Sequence, residues 1–82
     1  MRDELAQTLA AALAADAGQT PDEPGAQLAA GLLVSTWTVA FLHAHRVFQA
    51  QRDSAAADTA FLALIDQGTR GVTAAMAGTP YV

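Results

Sequence analysis

The sequence predicts an all-α fold: three antiparallel helices over about residues 2–16, 24–51 and 54–77, forming one domain across 1–82. Three observations carry this. The 52% apolar content is dominated by alanine, with few β-branched or aromatic side chains, which favours helix over sheet. Apolar residues recur every three or four positions. Turn-forming residues fall in short clusters at 18–25 and 51–54, so the connections are short and neighbouring helices run antiparallel.

The first helix rests on Leu5, Leu9 and Leu13, which form one stripe widened by Ala6 and Ala12. Asp3 and Glu4 suit the positive end of the helix dipole. Gly18 is placed to terminate it. The turn 18–25 reads Gly-Gln-Thr-Pro-Asp-Glu-Pro-Gly. Thr20 to Glu23 has capping-box spacing, and either Pro21 or Pro24 fits the first helical position.

The second helix holds the feature that decides most. Between Glu23 and Arg46, 22 residues carry no formal charge, counting histidine as neutral. At 1.5 Å per residue the whole helix is on the order of 40 Å long. Projected at about 100° per residue, it shows two apolar faces. Ala30, Leu33, Val34, Trp37, Ala40, Phe41, Ala44, Val47 and Phe48 make one, along the full length. Leu28, Leu32, Val39 and Leu42 make a roughly opposite stripe that ends where Arg46 takes the same angle. Gly31 and Ser35 lie beside that stripe and invite close approach by another helix. The run is long enough to span a bilayer. Yet Gln27, Ser35, Thr36, Thr38 and His43 are scattered through it, and it has no strong basic flank, so burial in protein on two sides is the expectation.

Asp53 or Ser54 caps the third helix. Phe61, Leu64, Ile65, Gly68, Val72, Ala75 and Met76 share its apolar face, opposite Asp66, Arg70 and Thr73. Gly68 and Gly71 each cost about 1 kcal/mol against alanine in a helix, which points to close backbone approach. Gly78 and Pro80 stop the helix.

Composition narrows function. The net charge of −4, with four arginines and no lysine, provides no phosphate-neutralising patch, so no nucleic-acid contact is expected. The absence of cysteine removes disulfides and thiolate metal sites and is compatible with a cytoplasmic location. The N-terminus has acids at once and no apolar run before a cleavage site, so it does not read as a secretory signal. His43 and His45 project roughly 200° apart on one helix, with no carboxylate four residues away, and are not expected to share a metal. Asp58 and Asp66 read as cap and solvated face. No activated nucleophile and no phosphate-cradling loop is present, so neither an enzyme nor a cofactor is expected.

What remains is association. A chain this short buries a limited core and gains stability from a partner. Leu28, Leu32, Val39, Leu42, Leu64, Gly68, Gly71 and Ala75 are the expected contacts with a second copy. Trp37 and Phe41, with Thr38 beside them, are the expected lining of a pocket for a small hydrophobic effector. Plain core packing is the simpler role for each aromatic ring taken singly.

The pattern resembles the C-terminal, ligand-binding and dimerisation half of TetR-family transcriptional regulators of the actinobacterial type. The likeness lies in Arg2-Asp-Glu-Leu-Ala and its leucine stripe, the Pro21-Asp-Glu-Pro24 turn, Ala29-Ala-Gly-Leu-Leu-Val-Ser-Thr-Trp37 leading to Arg46-Val-Phe48, and Ala60-Phe-Leu-Ala-Leu-Ile-Asp-Gln-Gly68 with Gly71-Val72. The resemblance implies that the last two helices pair with those of a second subunit as a four-helix bundle, and that an effector binds within the helical domain. The family's helix-turn-helix DNA-binding domain has no counterpart in these residues. A free-standing helical adaptor, binding neither DNA nor ligand, is the alternative.

Overall fold

The computed structural model describes residues 2–81, with side chains from Glu4 onward; the expected favourable place of Asp3 at the helix dipole lies outside the described side chains. Three helices follow in order: α1 (Arg2–Asp16), α2 (Pro24–Gln51) and α3 (Ser54–Ala75). No strand occurs among the described residues.

Local chemistry sets each boundary. After α1, Gly18 adopts φ 72°, Gln19 N–H donates to Ala14 O at 2.7 Å and Gly18 N–H donates to Ala15 O at 3.1 Å. These bonds satisfy carbonyls that the helix end leaves open. At α2 the expected capping box is not formed. Glu23 itself is the N-cap, with φ −62° and ψ 127°, and Pro24 takes the first helical position. Glu23 Oε2 accepts from Ala26 N–H at 2.8 Å. Thr20 instead turns inward on the loop, its Oγ1 donating to Asp22 Oδ1 at 2.7 Å. A proline at the first position leaves one fewer N–H to satisfy, so a single carboxylate suffices.

Arg52 ends α2 in the left-handed region at φ 52°, its N–H donating to Phe48 O at 2.7 Å. Asp53 then caps α3, accepting from the N–H groups of Ala55 and Ala56 at 3.0 and 3.3 Å. That helix ends at Ala75, two residues short of the expected 77. Gly78, at φ 81°, and the Thr79 N–H bond to Met76 O at 3.0 Å close the chain into a turn.

α2 is the middle element. It packs against α1 and against α3, while α1 and α3 make no close backbone approach to each other. The result is a layer one helix thick, with Cα extents of 45 × 27 × 14 Å. Its radius of gyration is 14.6 Å, against roughly 12 Å for a compact chain of this length.

The core is built from small side chains. Ala10 and Ala14 of α1 and Ala26, Ala29, Ala30 and Ala40 of α2 are buried, with Val34, Ala57, Val72 and Met76. Ala29, Val72 and Met76 form its centre, with Leu13, Leu32, Leu33 and Tyr81 packed around them. The leucine stripe of α1 does not sit at the helix contact: Leu5 is 58% exposed, and Leu9 and Leu13 are half-buried. Alanine seams let helices approach closely, which pushes larger neighbours to the rims.

Gly68 fits the expected close approach, but the partner lies in the same chain. A Cβ added there would stand 2.8 Å from Thr36 Cβ and closer still to its Cγ2 and Oγ1. Gly68 is therefore the point where α3 seats on α2. Gly71 differs: nothing lies within 4 Å of an added Cβ, and the same holds at Gly31. The expected polar side of α3 carries one ion pair, Arg70 to Asp66 at 3.1 Å, both ends largely solvated. Such a pair contributes little.

Candidate ligand groove and association face

A layer one helix thick leaves α2 open on two sides, and each side carries one of the two projected faces. On the first side, Trp37, Phe41 and Phe61 cluster. Phe41 and Phe61 lie 5.0 Å apart between centroids, Trp37 and Phe41 5.8 Å, and Trp37 and Phe61 6.0 Å with an interplanar angle of 85°. These are edge-to-face and tilted contacts favoured by the ring quadrupoles. The cluster joins α2 to the start of α3, but it is not core. Trp37 is 52% exposed and Phe41 58%. Core packing, the simpler expectation for both rings, is not what the structure shows.

Beside the rings lies a half-open groove of about 490 Å³, lined by Leu5 and Leu9 of α1 and by Leu33, Val34, Trp37, Thr38 and Phe41 of α2. All three residues named for the effector site, Trp37, Phe41 and Thr38, therefore line one groove. Phe61, which the sequence places in the apolar face of α3, joins the ring cluster but does not line the groove. Among the described residues that line it, none is charged. Its hydroxyl, on Thr38, donates back to Val34 O at 2.9 Å within the helix. This lining can recognise shape and apolarity.

The opposite side carries the residues expected to contact a second copy. One groove is lined by Leu32, Ser35, Thr36, Val39, Leu64, Gln67 and Gly68. Another is lined by Val39, Leu42, His43, Arg46 and Leu64. The two share Val39 and Leu64, so Leu32, Val39, Leu42, Leu64 and Gly68 form one continuous face across α2 and α3. Leu28 continues it along α2 and is 52% exposed; Val39 and Leu42 are 55% and 54% exposed. Gly71 and Ala75 are exposed on α3.

Tyr81 is a residue that sequence reasoning passed over. Its phenol donates to Glu23 Oε2 at 2.5 Å, the same oxygen that caps α2. An added Cβ at Gly25 would meet the Tyr81 ring at 2.9 Å, so this glycine makes room for it. The bond to Tyr81 and those from the Ala26 and Gly25 N–H groups hold the Glu23 carboxyl below its ordinary value. The bond to Glu23, together with desolvation, pushes the Tyr81 phenol up to about 12. The clasp pins the open end of the α2–α3 hairpin, opposite the Arg52 turn. A lone tyrosine just beyond the helix stop was the available signal.

His43 and His45 are both exposed, and among the described residues no three His, Cys, Asp or Glu converge as a metal site would need. By length and composition α2 is also able to cross a bilayer, with a mean hydropathy of 1.5 over its most apolar window. No family model, curated protein or solved structure matches this chain.

Proposed function

We propose that this chain is an association domain that pairs with a second copy through the Leu28, Leu32, Val39, Leu42 and Leu64 face and takes a small apolar effector in the Trp37–Phe41 groove. The architectural frame is the dimerisation and effector-binding part of a TetR-like transcriptional regulator. That frame rests on the sequence likeness described above. It agrees with the face shared by the association residues and with the groove shared by the effector residues.

One observation carries the reading. The chain exposes 5484 Å², whereas a compact monomer of 8.4 kDa exposes roughly 4,600 Å². The excess is close to the approximately 800 Å² per partner that a stable protein interface buries. Large side chains that a monomer would place inside, such as Val39 and Leu42, stand on the surface instead. A stand-alone adaptor with an unrelated partner would use the same face, and the oligomeric state separates the two readings.

The test joins mass and ligand binding. Light scattering should give twice the chain mass for the native protein, and Val39→Glu should shift it toward the monomer. A neutral fluorescent probe such as N-phenyl-1-naphthylamine should quench Trp37, the one tryptophan, in a saturable way. A native protein that is monomeric in buffer sinks the association claim. Probe uptake unchanged in Phe41→Ala sinks the groove claim. Recovery only in detergent would favour a membrane helix over both.

A further inference from the structure

We infer that the second copy packs antiparallel, α2 on α2, with the two-fold axis passing at Ser35. The inference rests on the proposed self-association and adds its geometry. Three observations lead to it.

Charge is unevenly distributed along α2. Just before its first residue stand Asp22 and Glu23, and Asp16 closes α1 at the same end. At its other end stand Arg46 and Arg52; Asp53 follows Arg52 as the cap of α3, so Arg46 is the cation that lies on the association face. Arg46 lies at the angle of Leu28, so it lines the end of the association face, beside Val39, Leu42 and Leu64. A parallel pair would set Arg46 against Arg46 of the partner subunit and bring the acidic turns together. An antiparallel pair sets Arg46 near the partner's acidic 22–23 turn. Like charges across an interface are strongly disfavoured and complementary ones fix register, so charge selects the antiparallel pair.

The apolar stripe then sets the register. Leu28 and Leu42 stand seven residues on either side of Ser35 along the stripe, with Leu32 and Val39 between. Centring the pair on Ser35 matches Leu28 with Leu42 of the partner subunit. It matches Gly31, above which the chain leaves open space, with Val39 of the partner subunit. The same axis carries α3 onto the partner's α3, because α3 flanks α2 on one side only. Gly68 seats on Thr36, one residue from the axis, so the α3 pair centres near it. That centring brings Leu64 toward the open space over Gly71 of the partner subunit. The exposed surface supports a second copy as the occupant: the excess of the 5484 Å² over a compact monomer is of the order one partner contributes to a standard interface, and Leu28, Val39 and Leu42, each more than half exposed, supply part of it on this face.

The chain has no cysteine, so single cysteines introduced into it report pairing without background. With a short bismaleimide, Ser35→Cys should cross-link to a covalent dimer in high yield. Leu28→Cys alone should not, because its two copies stand about 21 Å apart along the helix axis. A mixture of Leu28→Cys and Leu42→Cys chains should cross-link at least tenfold better than either alone. Arg46→Glu should weaken association about tenfold at low salt and lose that difference at high salt.

Self-cross-linking of Leu28→Cys would overturn the antiparallel geometry while leaving self-association standing. So would a dimer by sedimentation in which Ser35→Cys does not cross-link. Each cysteine variant is therefore run in parallel by sedimentation. A monomer in that run, with the native chain also monomeric, overturns the underlying association instead.

Discussion

Replacing Gly68 with alanine should destabilise the fold by about 1–2 kcal/mol, although the same change improves helix propensity. The new Cβ would sit 2.8 Å from Thr36 Cβ and closer to the rest of that side chain. Rotating Thr36 gives little relief, because its own Cβ is in the way and its Oγ1 is held by a 2.8 Å bond to Leu32 O. α2 and α3 must therefore separate. Overpacking costs about 1–3 kcal/mol, a clash this close lies toward about 2–3, and the gain in helix propensity offsets about 1 kcal/mol. For a domain of this size the melting temperature should fall by roughly 5–15 °C. Thermal unfolding followed by far-UV circular dichroism, at one fixed protein concentration, measures it. In a Thr36→Ala background the two nearest contacts are gone, and the cost should fall by about 1 kcal/mol. A melting temperature that is unchanged or raised in Gly68→Ala would refute the close seating of α3 on α2. So would the absence of coupling to Thr36.

Gly71→Ala should leave the hairpin intact and its helicity equal or higher, since the added Cβ meets nothing within 4 Å; any loss should appear as weakened, concentration-dependent association in sedimentation. The one tyrosine allows a direct titration: absorbance at 295 nm should rise with a midpoint near 12 in the folded protein, and near 10 once Glu23→Gln removes the carboxylate. The linked stability has two edges. Tyr81 is held above its unfolded value, so its contribution is complete below pH 10 and is lost as pH rises through about 12. Glu23 is held below its unfolded value, so its contribution is present above pH 4.5 and is lost as pH falls through the lowered value. Tyr81→Phe should remove the alkaline edge, as read by denaturant melts between pH 8 and 12. Phe61→Ala should red-shift and sharpen quenching of Trp37 emission by acrylamide, because Phe61 shields one edge of the indole at 6.0 Å.

The three helices were legible because each signal was local. Alanine bias, the Gly18 and Gly78 stops and the Asp53 cap act within a few residues. The α2 start at Pro24 was legible as well, but its cap was not: Thr20 and Glu23 have capping-box spacing, while the structure uses Glu23 as the cap itself. Which apolar residues meet each other was less legible. Periodicity located the leucine stripe of α1, but it weights side chains by size, and this fold closes its contacts with alanines. Trp37 and Phe41 share one projected face, yet their exposure depends on the third dimension: only a layer one helix thick leaves that face open. Gly68 and Gly71 look alike in sequence, three residues apart on one helix. Thr36 opposite one and open space opposite the other separate them. The Tyr81 clasp joins residues 58 positions apart and lies beyond any local rule.

The account rests most on the claim that two copies share the face of Val39 and Leu42. Sedimentation equilibrium across a hundredfold range of micromolar concentrations tests it most directly. The account predicts a species of twice the 8.4 kDa chain mass, dissociating toward the single chain in Val39→Glu. A folded species of 8.4 kDa at every concentration would contradict it.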